Sequence, residues 1–321
     1  MTERISFGVF YRIGPLSPGE FARMAEDLGF DGFWVGELPT NRSPSYDTLT
    51  TLSFAAAASS RITIGSLVLL LPLHHPVWVA KQFGTLDILS GGRVILGVGV
   101  GGEYPKQFEA VGVPVDERGK RTDEAIEVIR TLWTQEVCSY HGRFFRFEGI
   151  TMDPKPVQKP HPPIWVGGRP GGIEIGPDGR PRYKSKTGAI RRAARFGDAW
   201  CPYYMTPEMY KDSVAQIKAY ATELGRDISG MQWALTTFWL VRDSYEEALE
   251  EARRIPRYGR DLSDRVARYD ILGHPRDIVK RLEQYVDAGV RYFACNWLCK
   301  REEVPRQMGI IAKEIIPHFR S

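Results

Sequence analysis

Short apolar segments alternate with longer amphipathic segments along the whole chain, and this alternation limits the possible folds. Eight of the apolar segments read as strands that are buried on both faces, as parallel strands are. Segments with helical spacing separate nearly all of them. Repeated strand–helix units over 321 residues predict a (β/α)8 TIM barrel, with a doubly wound parallel sheet as the alternative. The eight predicted strands are Ile5–Phe10, Phe30–Gly36, Ile62–Leu71, Val94–Gly99, Ile164–Gly167, Ala199–Pro202, Trp233–Val241 and Tyr292–Asn296.

The segments between these strands predict the helices of the barrel wall. The longest, about Glu117–Gln135, has acidic residues early and Arg130 late, as the helix dipole favours. In a barrel of this kind the reactive residues lie at the C-terminal ends of the strands and in the loops that follow them. The other predicted helices are Pro18–Leu28, Tyr46–Ser59, Pro76–Leu89, Lys186–Phe196, Pro207–Leu224, Tyr245–Arg257, His274–Ala288 and Val304–Phe319.

Composition excludes several classes of protein. Four cysteines in 36.4 kDa argue against a disulfide scaffold and favour a reducing cytoplasm. The longest apolar run, Ile62–Pro72, is about half the length that spans a bilayer, and no basic-then-apolar leader opens the chain. The 43 basic and 39 acidic residues give a net charge of +4, too weak a balance to favour nucleic acid as a partner. We expect a cytoplasmic protein that binds neither membrane nor nucleic acid.

The domain expected is a single barrel over residues 1–321, with one extension at about 170–184. In this extension Ile173 and Ile175 alternate with polar residues before a turn at Pro177–Gly179, and the chain returns along 180–183. This pattern predicts a β-hairpin, which would serve as a lid over the barrel mouth, as an oligomer arm or as plain decoration.

Two glycine-rich strand ends are candidate ligand sites. Residues 97–102 match the G-x-G-x-x-G dinucleotide pattern, but Glu103-Tyr104-Pro105 follows and the motif lies at the fourth strand. A glycine-lined strand end where a flat ligand lies against bare backbone is the better interpretation. The second strand end, Gly167-Gly168-Arg169, precedes a helix, so it predicts an anion site, with a simple turn as the alternative.

Histidine and cysteine spacing bears on metal and nucleophile chemistry. His74 follows the third strand, which favours it as a pocket residue; a surface histidine that caps a helix is the alternative. The chain lacks the H-E-x-x-H pattern, and Cys295 and Cys299 stand alone as a pair, so we expect no metal site. The G-x-S-x-G elbow and the P-loop lysine motif are also absent, which leaves acyl transfer and nucleotide hydrolysis without support.

Several motifs together resemble the bacterial luciferase-like superfamily of oxidoreductases. The match extends over essentially the whole chain, apart from the extension at 170–184, and the motifs are specific jointly rather than singly. They are Phe30–Glu37, Leu86–Arg93, Ile95–Gly99, His141–Phe144, Pro154–Gln158, Pro162–Gly168, Arg192–Trp200 and Tyr285–Phe293.

The resemblance implies a TIM barrel that binds FMN or the deazaflavin coenzyme F420 at its C-terminal mouth. It implies that Glu37 lies beside the ring and that Gly65–Val68, hence Ser66, Leu67 and Val68, forms a bulge behind it, with a non-proline cis peptide at Leu67–Val68. Further residues are implied near the cofactor or its phosphate, namely Gly99, Gly101, Gly102, Gly167, Gly168 and Arg169.

One position departs from the family pattern. Many relatives carry an acidic residue followed by histidine at the end of the second strand, whereas this chain has Glu37-Leu38. Leucine exchanges no protons, so the candidates for acid–base catalysis are Glu37, His74 and Glu103, unless the reaction needs no such base.

The resemblance also implies the type of reaction and the partners. Thr40-Asn41-Arg42, followed by Tyr46, resembles the second-strand loop of deazaflavin-dependent reductases, and a mildly basic surface suits the polyglutamyl tail of coenzyme F420. We therefore expect hydride transfer between coenzyme F420 and a small organic substrate, in a homodimer. The alternatives are an FMN-dependent monooxygenase supplied by a separate flavin reductase, a non-catalytic flavin-binding barrel and a sugar-phosphate barrel enzyme.

Overall fold

Parallel strands form a closed barrel around which the rest of the chain is arranged. The computed structural model describes residues 4–40, 44–171, 173–175, 181–183, 187–255 and 263–320. The barrel strands, each hydrogen-bonded to the next, are β1 (Ser6–Phe10), β2 (Gly32–Val35), β3 (Thr63–Ser66) continued by β4 (Leu69–Leu70), β5 (Val94–Gly99), β8 (Ile164–Gly167), β11 (Ala199–Cys201), β12 (Gln232–Val241) and β14 (Tyr292–Trp297). Pairing of β14 with β1 and of β11 with β12 closes the ring. The predicted TIM barrel is confirmed.

Helices cover the outside of the barrel. Their ends follow local sequence rules: Ser17 and Glu20 form a capping box at the first helix, and Gly91 ends the third at a φ of 69°. The helices are α1 (Pro18–Asp27), α2 (Thr48–Ala58), α3 (Pro76–Ser90), α4 (Pro105–Ala110), α5 (Arg118–Thr134), α6 (Gly188–Phe196), α7 (Pro207–Glu223), α8 (Tyr245–Arg253), α9 (Ser263–Tyr269), α10 (Pro275–Asp287) and α11 (Val304–Ile310), after which the chain continues in helical turns to Phe319.

Two hairpins and one short strand complete the sheets. The predicted extension contains an antiparallel hairpin, β9 (Ile173–Ile175) with β10 (Pro181–Tyr183); residues 172, 176–180 and 184 of that extension lie outside the described ones. The sequence does not predict the hairpin of β6 (Cys138–His141) and β7 (Arg146–Ile150), nor β13 (Ile271–Gly273), which pairs with the end of β12. The strands β6 and β7 contain mostly polar residues, and β13 is only three residues long. None of them has the longer apolar run that marks a barrel strand.

The interior of the barrel is filled by aromatic side chains. Trp34 and Trp165 have ring centroids 4.7 Å apart, and the Trp34 indole N–H donates to the Tyr292 hydroxyl over 3.0 Å. Glycine at position 8 on β1 makes room for them, because a Cβ atom there would overlap Trp34 and Tyr292. The described residues therefore fill the lower part of the barrel, and the barrel has space for a ligand at its C-terminal mouth.

The helices described are all too short or too polar to cross a membrane.

Candidate functional site

A cavity of about 1500 Å³ opens at the C-terminal mouth, where all eight strand positions of the barrel contribute to its wall. Its volume exceeds the range of about 300–1,000 Å³ that is typical of single small-ligand pockets. A nucleotide-type cofactor and a substrate can therefore occupy it together.

Most of the residues predicted for the site lie on this wall. Two do not: Ser66 and His74. The Ser66 hydroxyl is fully buried, donates to the Gly97 carbonyl over 2.8 Å and accepts from the Gly97 amide over 3.0 Å. The Ser66 side chain therefore joins two strands, and a role of this residue in cofactor binding stays a prediction. The predicted residues on the wall are Glu37, Leu67, Val68, Gly99, Gly101, Gly102, Glu103, Gly167, Gly168 and Arg169.

Val68 forms the floor of the cavity. The peptide bond between Leu67 and Val68 is cis, as predicted, and the Val68 side chain packs onto the cluster that fills the barrel. A Cβ atom at Gly99 would overlap the Val68 side chain, and one at Gly167 would lie 2.6 Å from Val68 Cγ1. These two glycines are therefore required by the position of Val68.

Glu37 is held at the edge of this floor by two donors. The Leu70 amide donates to Glu37 Oε2 over 2.6 Å, and His74 Nε2 lies 2.7 Å from Glu37 Oε1. Burial lowers the pKa of His74, but the hydrogen bond and negative charge of Glu37, with a contribution from Asp47, leave that pKa above its ordinary value. The protonated imidazolium form is therefore favoured beside Glu37.

Glu103 has a different environment from that of Glu37. It lies in the loop after β5, on the cavity wall, and accepts a short hydrogen bond from the hydroxyl of Tyr203, which follows β11. Leu38, which stands where many relatives have histidine, also lies on the wall. Of the three acid–base candidates, Glu37 and Glu103 face the cavity and His74 contacts it only through Glu37.

Cationic groups collect at the end of the cavity beyond Gly168. Arg118, Arg169 and Arg192 line this end, together with Gly188 and Ala189 of the first turn of α6. The side chain of Thr187 makes no capping hydrogen bond within the described part of the chain, which leaves the amides of that turn directed at the cavity. Guanidinium groups beside a helix N-terminus suit the binding of a phosphate.

Gly168 allows the close approach at this end. Its φ is 101°, and a Cβ atom there would lie 3.2 Å from the Cβ atom of Ala189. The strand end and the start of α6 are thus in contact at this point. The glycines, the three arginines and the valine floor fit a flat cofactor that carries a phosphate.

Aromatic side chains form one side wall, and the sequence did not predict them. The Tyr204 ring stacks on Phe238 with centroids 5.8 Å apart, and Tyr203 contacts Tyr204 edge-on at 5.0 Å. Across the mouth, Tyr11 stacks on Tyr46. Tyr46 belongs to the loop motif noted in the sequence, of which Asn41 and Arg42 lie outside the described residues. An aromatic wall favours an organic substrate with apolar surface.

Arg192 was also missed, because the sequence pattern groups it with exposed arginines. It lies in the basic cluster 191–195, which suggests a solvated helix face. Arg192 is nevertheless buried, donates to Asp123 over 2.6 Å and lies next to the apolar Ala193. A helical projection of α6 places Arg192 on the same face as Arg191 and Arg195, at the edge beside Phe196, so the sequence pattern alone does not reveal that it is buried.

Thiol and metal chemistry find little support in this geometry. Cys201 is on the wall, but burial raises the pKa of its thiol to about 12, which suppresses the reactive thiolate. In the described ranges, no group of three or more His, Cys, Asp or Glu side chains is arranged to hold a metal ion.

Comparison with known proteins shows which family has a similar sequence. The sequence profile of the luciferase-like monooxygenase family matches residues 17–174. The FMNH2-dependent dimethylsulfone monooxygenase of Pseudomonas putida is 31% identical over 238 residues, 71% of this chain and 59% of that protein. The 4-hydroxyprotoasukamycin monooxygenase of Streptomyces nodosus subsp. asukaensis is 30% identical over 270 residues, 78% of this chain and 68% of that protein. The chain thus spans about three-fifths of the Pseudomonas protein's length and two-thirds of the Streptomyces protein's.

Solved structures of the same fold cover nearly the whole chain. An F420-dependent secondary alcohol dehydrogenase, solved with an F420–acetone adduct, has a TM-score of 0.82 at 21% identity and covers 99% of this chain and 100% of that one. The oxygenating component of 3,6-diketocamphane monooxygenase from Pseudomonas putida, solved with FMN, has a TM-score of 0.76 at 18% identity and covers 98% of both chains. At these identities the structures establish the fold, and the sequence matches establish the family. This chain belongs to the luciferase-like monooxygenase family.

Proposed function

We propose that the protein is an oxidoreductase that moves a hydride between coenzyme F420 and a small organic substrate. The observation that carries the proposal is one cavity with an apolar floor at Val68 and a phosphate-compatible end at Arg118, Arg169 and Arg192. When bound, a deazaflavin supplies hydride transfer, and the protein supplies orientation and electrostatics. The proposal draws further support from the F420-dependent alcohol dehydrogenase of the same fold.

Direct binding measurements test this proposal. Purified protein is titrated with oxidised and with reduced coenzyme F420, and separately with FMN, and binding is followed by fluorescence. We expect F420 to bind with a dissociation constant below about 100 μM, which corresponds to about −5.5 kcal/mol. If neither cofactor binds in this range, the proposed function is wrong.

An FMN-dependent monooxygenase is the second candidate, and the sequence relatives favour it. The Pseudomonas relative at 31% identity is an FMNH2-dependent monooxygenase. In this alternative, a separate flavin reductase supplies reduced FMN. Oxygen consumption with reduced FMN and a panel of small organic substrates would support this candidate, whereas anaerobic turnover with F420 would support the first. Tight binding without turnover of either kind would instead indicate a non-catalytic flavin-binding barrel.

The chain's own residues suggest how each end of the cavity would act. The arginines and the first turn of α6 would bind the phosphate, Val68 would support the ring, and the Tyr204–Phe238 wall would exclude water from the substrate. Glu103 would hold or release a proton at its carboxylate, with Tyr203 fixing one of its oxygens.

Glu103→Gln is expected to lower kcat by about 100-fold, because general acid–base catalysis contributes at least this much. Cofactor affinity is expected to change by only a few-fold, since glutamine keeps the size of Glu103 and can still accept the hydrogen bond from Tyr203. The measurement uses a substrate that the wild-type protein turns over, chosen from small aldehydes, ketones and secondary alcohols. Glu109→Gln, on the exposed side of α4, is the matched control. An unchanged kcat in Glu103→Gln would remove Glu103 from the mechanism.

We also propose a cytoplasmic homodimer in which α2 and α3 meet their symmetry copies. α2 carries no charged residue, and a helix without a polar face is normally buried. Phe54 on α2 is 63% exposed, and Trp78 and Leu89 on the neighbouring α3 are 66% and 77% exposed. An exposed apolar surface of this kind is typical of subunit interfaces, and a twofold axis would pair it with its own copy.

A charge placed on this surface is expected to split the dimer. Phe54→Glu and Trp78→Glu should each shift the mass measured by light scattering from dimer to monomer, because a carboxylate would be buried unpaired. Leu224→Glu, at an exposed apolar position after α7, should leave the mass unchanged. A monomeric wild-type protein would contradict the proposal.

A further inference from the structure

Each oxygen of the Glu37 carboxylate is engaged by a group that belongs to the scaffold. Its Oε2 accepts from the main-chain amide of Leu70 at 2.6 Å, and its Oε1 lies 2.7 Å from His74 Nε2. The side chain is only 7% exposed. A carboxylate held by a fixed amide on one oxygen and by an imidazole on the other is poorly placed to exchange protons with a substrate.

The same residue ties β2 to the segment that carries the floor. The Glu37 amide donates to the Val68 carbonyl over 3.1 Å, while its side chain accepts from the amide of Leu70 two residues further on. Val68 is therefore bracketed by two hydrogen bonds from a single residue. Its side chain is confined on the other side by the bare backbone at Gly99 and Gly167.

His74 reaches the cavity only through Glu37. It is absent from the wall formed by the described residues, and its imidazole is one-third exposed. We infer that Glu37 and His74 are a positioning pair that holds Val68 as the floor of the cavity, and that the charge on His74 sets how firmly this floor is held. The inference depends on the proposed function only in naming a cofactor ring as the occupant of the floor.

The charges around His74 determine the direction of the pH effect. Glu37 faces it from the end of β2, and Asp47 acts on it from the start of α2; the adjacent His75 instead faces the ring of Phe145. Because these carboxylates raise the pKa of His74 despite its burial, the ion pair is complete below the ordinary histidine pKa of about 6.5. It is lost as the pH rises through the elevated pKa.

The methyl groups of Val68 report on this pair without any cofactor. In protein with ¹³C-labelled valine methyls, the Val68 signals are assigned from a Val68→Ala variant and followed by NMR as the pH is raised. We expect them to titrate with a midpoint above about 6.5 in the wild-type protein and not to titrate in His74→Gln. His75→Gln, the neighbouring histidine, should keep the wild-type titration.

A second variant separates positioning from proton transfer. In Glu37→Gln the amide oxygen can still accept from the Leu70 amide, and the amide nitrogen can donate to neutral His74. The same NH2 group repels the protonated imidazolium of His74, because both groups are donors. We therefore expect the Val68 titration to persist with the opposite trend, the floor being held at high pH. A Glu37→Gln protein that keeps the wild-type Val68 titration but loses turnover at every pH would overturn the inference.

The pH dependence of cofactor affinity tests whether the position of Val68 affects binding. If F420 or FMN rests on Val68, affinity should fall several-fold above the His74 midpoint in the wild-type protein and become independent of pH in His74→Gln. A pH-independent affinity in the wild-type protein would also overturn the inference. If neither cofactor binds while Val68 titrates as expected, the proposed function fails and the positioning role stands.

Discussion

Gly99→Ala is expected to weaken cofactor binding by about 10-fold to 100-fold. The added Cβ atom would overlap Val68 Cγ2, and neither group has room to move, because Gly99 ends the buried strand β5 and Val68 is confined between Gly99 and Gly167. Insertion of a methyl group into a packed site costs about 1–3 kcal/mol, and 1.4 kcal/mol is a factor of ten in affinity. Fluorescence titration with F420 and FMN measures the loss, and thermal unfolding shows how much of the cost falls on stability.

A second substitution identifies the cause of the loss. Val68→Ala removes the methyl groups that the new Cβ atom would strike, so the Gly99→Ala/Val68→Ala double variant should bind better than Gly99→Ala alone. Gly309→Ala, on α11 with open space around its Cβ position, is the control for adding a methyl group elsewhere. A double variant that binds no better than Gly99→Ala would mean that Gly99 contacts the ligand itself, and the assignment of Val68 as the floor would be wrong.

Gly168→Asp is expected to lower cofactor affinity by about 100-fold. The carboxylate would lie between the strand end and α6, close to the guanidinium groups that we assign to the phosphate, and like charges at about 4 Å repel by up to about 4 kcal/mol near a protein surface. It would also compete for those arginines. The measurement is the dissociation constant at low and at high salt, because screening should recover part of the affinity of the Asp variant.

Gly168→Asn is the matched control for this substitution. Asparagine has the same size as aspartate and tolerates the φ of 101° no worse, so it reproduces the strain and the contact with Ala189 without the charge. The difference between the two variants is therefore electrostatic. Equal affinity of the Asp and Asn variants would place the phosphate elsewhere in the cavity.

The barrel was predictable because its strands carry a strong local signal. Parallel strands buried on both faces are continuous apolar runs, and Val94–Gly99 or Ile164–Gly167 can be read as strands without knowing their neighbours. The third strand shows the limit of this signal. Ile62–Leu71 reads as one run, but the structure divides it into β3 and β4 around Leu67 and Val68. Apolarity marks burial and does not reveal where a strand is interrupted.

The site was predictable only in its backbone. Gly99, Gly101, Gly102, Gly167 and Gly168 lie on the cavity wall, as the convergence of strand ends at one mouth of a barrel predicts. The partners of the polar residues were not found, since they join distant parts of the chain: Tyr203 meets Glu103 across 100 positions. Ser66 shows the same limit for a side chain. It lies in the correct segment, but its side chain alternates to the neighbouring strand, and sequence alone does not specify which groups a strand residue will meet.

The aromatic filling of the barrel has a consequence for how this protein can change. Trp34, Trp165 and Tyr292 hold the strands together from below, and neither Tyr204 nor Phe238 belongs to that cluster. Substitutions at Tyr204 or Phe238 that widen or narrow the substrate region should therefore leave the packing of the lower barrel intact. Laboratory evolution of new substrate preferences should therefore need substitutions at the barrel mouth alone, while the residues of the lower barrel stay unchanged.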